Sequence, residues 1–217
     1  IPMLIRPEFR IASVFSHLSA SDEPEHDEFS SLQFTRFDRI TGSISGALDY
    51  AYLKHMLNSA GIERFPGAQY DMVRLGIGLH GIGRSGSLSP VSTFRTSVSQ
   101  VRKVPPGETV GYSRSGPLER ETLVATIPVG YADGMDRRLG NGTGRVWVSG
   151  MPAPTIGNIC MDMTMVDVTG LRVAEGDPVE VFGKSQTAGE VAARIGTIPY
   201  ELLTSIPERV KRVYLHH

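Results

Sequence analysis

The sequence predicts a parallel α/β part followed by an all-β part, on three observations. Short apolar runs alternate with helical spacing in roughly the first 86 residues. Beyond that point β-branched runs are punctuated by glycine, proline and asparagine. Between the two, residues 85–90 gather Gly, Ser and Pro, the composition of a connecting loop. Residues 1–86 and 87–217 are therefore read as two domains, the first wound from strand-helix units and the second a β-barrel or sandwich.

In the first part, Ile11-Ala12-Ser13-Val14-Phe15 reads as a buried strand. A polar turn with Asp22, Glu23 and Pro24 then leads into a helix whose apolar spacing is carried by Phe29, Leu32, Phe37 and Ile40. Residues 50–56 make a second strand, Asn58-Ser59-Ala60-Gly61 opens a short helix, and residues 72–77 make a third strand ending in glycine. In the second part, strands are expected at 91–104, 122–129, 145–148, 163–168 and 178–182, with one helix at 188–195.

Composition narrows the function. With 40% hydrophobic and 21% charged residues the 217-residue chain can bury a sizeable core. A net charge of -1 offers nothing to nucleic acid or to an anionic membrane. Apolar runs are too short for a membrane-spanning helix, and the lone Cys160 cannot close an internal disulfide, which fits a reducing, cytoplasmic setting. The chain opens at Ile1 rather than a methionine, and His216-His217 reads as the start of a purification tag, so the sequence is taken as a fragment.

Two overlapping glycine fingerprints, at Gly76, Gly78 and Gly81 and at Gly81, Gly83 and Gly86, are discounted as dinucleotide sites. The Ser-Leu-Ser-Pro that follows Gly86 is a poor helix, and the fingerprint needs a helix to receive the pyrophosphate. Asn141-Gly142-Thr143 reads as a turn rather than a glycosylated sequon. A phosphate cradle between Asn58-Ser59-Ala60-Gly61 and Gly76-Ile77-Gly78 would suit the end of a (β/α)8 barrel, although Asn-Ser before a helix is also an ordinary N-cap. Tyr112 and Tyr131 each stand in a glycine-flanked turn, where a phenol can reach a ligand or simply pack on the loop. His17, His55 and Arg74 sit on or just after strands, where a satisfied buried polar group is the ordinary reading.

Taken in order, the short motifs Ser13-Val14-Phe15-Ser16-His17-Leu18, Asn58-Ser59-Ala60-Gly61, Val73-Arg74-Leu75-Gly76-Ile77, Gly111-Tyr112-Ser113, Ile127-Pro128-Val129-Gly130-Tyr131-Ala132-Asp133-Gly134, Ile159-Cys160-Met161-Asp162 and Thr197-Ile198-Pro199-Tyr200-Glu201 resemble bacterial alanine racemase from about residue 11 to 214. The resemblance implies an incomplete (β/α)8 barrel followed by a C-terminal β-barrel domain. It implies a pyridoxal 5'-phosphate (PLP) enzyme that interconverts L- and D-alanine for peptidoglycan synthesis. It also implies a homodimer with shared active sites.

Carried over by residue, Ser59, the backbone of Gly76 and Ile77, and Tyr200 would hold the cofactor phosphate. Arg74 would face the pyridine nitrogen with His55 in support. Tyr112, from the partner subunit, would be one catalytic base, linked through His17 to Arg74. Tyr131 and the Met161 backbone would meet the substrate carboxylate. Racemisation needs a base on each face of the α-carbon, and PLP stabilises the carbanion between them. Arginine, which can only donate, leaves the ring nitrogen without a proton of its own and so restrains side reactions.

The resemblance is partial. The family's second base is the lysine that also binds PLP, carried on the first barrel strand, and Lys54, Lys103, Lys184 and Lys211 lie in no matching context. The arginine expected before the sixth strand, at the cofactor phenol oxygen, is missing too. Only about three of eight strand-helix units are present, so this chain alone is expected to be inactive. Asn158 stands where many relatives carry an arginine at the substrate entrance. Other readings remain: a related PLP decarboxylase or broad-specificity racemase, a non-catalytic β-domain module, or part of a fusion with a peptidoglycan ligase.

Overall fold

The computed structural model describes residue 6, residues 8–84 and residues 86–215. His216-His217 lies outside them. The chain forms two compact units, Ile1–Ser89 and Pro90–His217.

In the first unit, strand β1 (Ser13–Phe15) is followed by helix α1 (Asp27–Ser45), and strand β2 (Leu53–His55) by helix α2 (Ser59–Arg64). β1 and β2 pair in parallel, Ser13 with Leu53 and Phe15 with His55. A parallel pair requires a crossover, and α1 supplies it. The third strand expected at 72–77 reduces to a single parallel bridge between His55 and Met72. The reason is local: β2 ends at His55, the Arg74 N–H makes one further bond onward to the Leu57 carbonyl at 2.9 Å, and the chain then enters a 3-10 turn over Ile77–His80.

Through Phe37, α1 packs on Leu18, Met56 and Leu57, and these four form a buried cluster of this unit. Its inward stripe is Ser30, Phe37, Thr41 and Ile44. Of the four apolar positions expected to face inward, only Phe37 does; Phe29, Leu32 and Ile40 are exposed on the same helix. At 100° per residue, positions 29 and 40 fall about a quarter-turn away from the 30/37/41/44 stripe, and position 32 about 150° away, nearly on the opposite side. α2 starts where the sequence suggests, with Asn58 Oδ1 accepting from the Gly61 N–H at 2.9 Å and from the Ser21 hydroxyl at 2.8 Å.

The second unit is mostly antiparallel. Its strands are β3 (Phe94–Ser97), β4 (Gln100–Val104), β5 (Thr109–Val110), β6 (Gly116–Pro117), β7 (Thr122–Ile127), β8 (Arg145–Val148), β9 (Met151–Ile156), β10 (Thr164–Asp167) and β11 (Pro178–Phe182). β5 and β6 make a small ribbon, and the other seven form one sheet in the order β3-β11-β8-β9-β10-β7-β4. β3 and β4 thus stand at opposite ends of the sheet yet are joined only through Val98 and Ser99. The sheet has to curl for so short a link to span its ends. Val98 N–H reaches the Asp177 carbonyl and Ser99 N–H the Thr126 carbonyl, each at 2.9 Å, one on either side of the seam. Val146, Val148, Ala153, Val166 and Val168 are fully buried inside.

Four elements here have no counterpart among those expected: the short β5 and β6, β9 and α4. β9 contains Pro152 and Pro154, which read as strand breakers; they share one parity, so both absent N–H groups fall on the same side and pairing with β8 continues from Arg145–Pro154 to Val148–Met151. Helix α4 (Pro199–Thr204), after α3 (Ala188–Arg194), is a turn and a half that begins on a proline. The Asn141-Gly142 stretch is a turn, with φ of 53° and 81°.

Candidate functional site

Arg74 organises the polar end of the first unit. Its Nη1 approaches His55 Nδ1 at 2.7 Å and donates to the His55 carbonyl at 3.3 Å. Its Nη2 donates to the carbonyls of Ser16 and Met56 at 2.7 and 3.2 Å and approaches His17 Nδ1 at 3.1 Å. A guanidinium can only donate, so both imidazoles meet it through a bare Nδ1 and carry their proton on Nε2. The Phe15 ring stacks on His55 at 5.3 Å, and the Arg74 guanidinium carbon lies 5.2 Å from the same ring. Burial, and then the Arg74 charge, hold the His55 pKa below the ordinary histidine value. Arg74 pairs with no carboxylate among the described residues. A cation whose partners are all neutral is equipped to meet an electron-rich acceptor.

One turn away, the buried Ser59 hydroxyl accepts from the Gly76 N–H at 2.9 Å and the Gly78 N–H at 3.1 Å. This fixes the 76–78 backbone against the start of α2. Ile77 is the first residue of its 3-10 turn, so its N–H has no acceptor within that turn. Among the six positions singled out in this unit, the structure brings together His17, His55 and Arg74 as one group, and Ser59, Gly76 and Ile77 as another.

Tyr112, Tyr131, Met161 and Tyr200 belong to the second unit. Tyr112 occupies a 3-10 turn bounded by Gly111 at φ 82°, with Ser113 and Arg114 also left-handed at 61° and 53°. Positive φ on both sides of it marks a tight turn, and Tyr112 is 73% exposed rather than packed into the core. Asn158 steadies the turn: its Nδ2 donates to the Tyr112 carbonyl at 3.2 Å while its Oδ1 accepts from Asn141 Nδ2 at 3.1 Å. Asn158 had been noted only as a departure from the expected arginine; its contacts were not legible from sequence.

Tyr131 and Met161 lie on two backbones pressed together. Tyr131 N–H donates to the Cys160 carbonyl at 2.9 Å and Ala132 N–H to the Met161 carbonyl at 3.0 Å. A Cβ on Gly130 would come within 2.3 Å of both the Cys160 and Met161 carbonyl oxygens, so this crossing tolerates only glycine. The Met161 side chain is exposed, and its N–H has no partner among the described residues. Asp133, which sequence reasoning left without a role, accepts from the Gly130 N–H at 2.9 Å. Tyr200 is on α4, half exposed, with its backbone carbonyl accepting from the Thr204 hydroxyl.

Residues 91–214 match the family model of the alanine racemase C-terminal domain, and residues 3–84 that of the alanine racemase N-terminal domain. The chain is 39% identical to alanine racemase 1 of Clostridium acetobutylicum, over 94% of its own length and 56% of the relative's. It is 40% identical to the alanine racemase of Carboxydothermus hydrogenoformans, over 93% and 58%. The crystal structure of the Streptomyces coelicolor A3(2) alanine racemase superposes with a TM-score of 0.90 at 33% identity, covering 96% of this chain and 57% of that one. The Bartonella henselae alanine racemase, solved with covalently bound pyridoxal phosphate, gives 0.86 at 34%, covering 95% and 57%. The chain therefore spans a little over half the length of the relatives it resembles. Matched by the family's two domain models in order, and by relatives along nearly its whole length, the chain belongs to the alanine racemase family.

Proposed function

We propose that this chain is the C-terminal part of a PLP-dependent alanine racemase that interconverts L- and D-alanine and so supplies D-alanine for peptidoglycan. In this reading residues 1–86 are the last part of a (β/α)8 barrel and residues 87–217 its β-barrel partner domain. The intact enzyme is a cytoplasmic homodimer whose active sites draw on both subunits. The observation that carries the reading is Arg74, a cation held by two bare imidazole nitrogens and three carbonyls with no carboxylate partner among the described residues.

The residues fit the cofactor. The Ser59 hydroxyl accepts from Gly76 and Gly78, which leaves its own proton and the Ile77 N–H as donors at one strand end, suited to a phosphate, with Tyr200 assigned as a further phenolic donor. Arg74, able only to donate, suits an unprotonated pyridine nitrogen, and His55, kept neutral by burial and by Arg74 itself, orients it. PLP, when bound, supplies an electron sink for the α-carbanion. A related decarboxylase would be expected to set a carboxylate, not an arginine, opposite that nitrogen.

The chain's own residues then divide the work. Tyr112 moves the α-proton on one face, and its exposure supports delivery to a second copy. A phenol is a poor base near neutrality unless positive charge favours the phenolate. The Nε2–H of His17, polarised by Arg74 across 3.1 Å, provides that bias. Tyr131 and the Met161 N–H, which has no partner among the described residues, bind the substrate carboxylate. The opposite face requires a lysine that Lys54, Lys103, Lys184 and Lys211 do not provide.

The test is a chimera in which the N-terminal portion of the C. acetobutylicum enzyme, where this chain has no counterpart, is joined ahead of it. The chimera is expected to take up PLP and form D-alanine from L-alanine, and this chain with added PLP to form none. A folded, PLP-loaded chimera without racemisation overturns the assignment; racemisation by the 217-residue chain alone overturns the division of labour.

A further inference from the structure

We infer that Arg209 is a positioning residue that clamps the Tyr131 turn to the Met161 loop and sets the spacing of the two groups assigned to the substrate carboxylate. The inference rests on the reading of Tyr131 and Met161 given above. One nitrogen, Arg209 Nη2, contacts Asp133 Oδ1 and Asp162 Oδ1, each at 2.7 Å. The two carboxylates belong to different loops: Asp133 closes the turn that presents Tyr131, and Asp162 follows Met161 directly.

Asp133 is doubly engaged. Its Oδ2 accepts from the Gly130 N–H and its Oδ1 meets the arginine, so the turn's cap and the clamp share one carboxylate. The Asp133 side chain is only 17% exposed, so solvent screens this arm less than the Asp162 arm, which is 56% exposed. Without the guanidinium, two like charges would face each other across the crossing where Tyr131 N–H and Ala132 N–H reach Cys160 and Met161. Repulsion there acts directly on the separation between the tyrosine and the Met161 N–H. An arginine is charged throughout the working range of an enzyme, and here the hydrogen bond to Asp162, then that to Asp133, outweigh desolvation and push its pKa further up.

The chemistry calls for such a device. A substrate carboxylate is itself negative, and bringing it beside Asp133 and Asp162 is tolerable only if their charge is already answered. Arg209 answers it from the far side of the turn, while the sequence places this residue 47 positions from Asp162, on a C-terminal segment with no regular secondary structure.

Two arms test the clamp. In the chimera, Arg209→Ala is expected to raise KM for alanine about tenfold with kcat changed less than about threefold, and Arg209→Lys to recover most of the loss, since it restores the charge. In the 217-residue chain without substrate, the Tyr131 and Ala132 amides of the same variant should exchange about three- to tenfold faster, the difference shrinking in high salt, with the urea midpoint read on Trp147 nearly unmoved. Asp162→Asn, on an exposed loop, should give the same pattern at smaller size and keeps the test open if the arginine variant does not fold. Unchanged exchange and unchanged KM overturn the clamp, as does a loss confined to kcat. If the unmutated chimera fails to racemise, the functional reading falls, and the exchange arm still decides the clamp.

Discussion

Gly130→Ala separates two kinds of glycine requirement, and its cost can be worked from the structure. Gly130 has φ -139° and ψ -165°, an extended backbone that alanine adopts without strain. The whole penalty is therefore spatial: an added Cβ would sit 2.3 Å from the Cys160 and Met161 oxygens and 2.4 Å from the Met161 carbonyl carbon. Relief requires the two backbones to part by about 1 Å, which takes the 2.9 and 3.0 Å bonds from Tyr131 and Ala132 beyond hydrogen-bonding reach. Two backbone bonds at about 0.5–1.5 kcal/mol each, with about 1–3 kcal/mol for overpacking, put the loss near 2–6 kcal/mol. Urea unfolding followed on Trp147, the single tryptophan, reports the second unit, and with a slope of about 1.5 kcal/mol/M the midpoint should fall by about 1.3–4 M. Gly142→Ala is the control: nothing lies within 4 Å of its Cβ, but φ is 81°, so its cost is purely conformational, about 1 kcal/mol. A Gly130→Ala protein with an unchanged midpoint and protected Tyr131 and Ala132 amides would refute the reasoning.

Thr164→Val removes one buried bond, from the Thr164 hydroxyl to the Val129 carbonyl at 2.7 Å, at nearly constant volume, and should cost about 1–2 kcal/mol in the same urea assay. Ser59→Ala strands the Gly76 and Gly78 N–H groups; amide exchange at both positions should quicken by about tenfold, and unchanged exchange would show that the hydroxyl does not fix this loop. His55 has a folded pKa below the unfolded value of about 6.5, so on acidification the unfolded state takes up a proton first. The contribution of the neutral imidazole is complete above that value and is lost as pH falls below it; thermal unfolding between pH 8 and 5 should show this slope, and His55→Gln should abolish it. The open edges of β1 and of the Met72 bridge should make the isolated chain associate with concentration in sedimentation, and the chimera less so.

How much of this was legible in the sequence depends on what each residue had to signal. β8 and β11 fall at the expected bounds because β-branched runs ended by glycine or proline are local signals. β9 was hidden because Pro152 and Pro154 read as breakers unless the partner strand is known, and α4 is too short to establish a period. The inward face of α1 was misjudged because Ser30 and Thr41 are buried there: Thr41 returns its hydroxyl to the Phe37 carbonyl at 2.9 Å and so lines the core without an apolar signature. The third strand is shorter than its apolar content at 72–77 suggests, because that content says nothing about where the neighbouring β2 ends, at His55, or where the 3-10 turn at Ile77 begins. At the site, glycine-flanked Tyr112 and Tyr131 were visible as turns. The partners Asn158 and Arg209 were not, since no local pattern links position 158 to 112 or position 209 to 133.

The exposed residues of the first unit carry a further argument. Parallel strands are normally covered on both faces, yet Phe15 on β1 is 65% exposed, and Leu53 on β2 and Met72 at the bridge are exposed as well. Leu53 shares strand parity with His55, so this uncovered apolar side is also the side from which His55 meets Arg74. The polar group and the bare apolar surface are thus one face. Whatever covers that face also removes water from around Arg74, and a guanidinium with only neutral partners attracts an acceptor more strongly as the local dielectric falls. On the proposed reading, completing the barrel is therefore expected to do more than add a lysine: it should raise the affinity of the Arg74 group for the cofactor ring. PLP uptake by a chimera in which the incoming lysine is replaced by alanine isolates that contribution. Retention of PLP by that variant well above the level of the 217-residue chain, and its loss on Arg74→Ala, is the expected pair of results; equal, weak uptake by all three would show that enclosure adds nothing to the arginine.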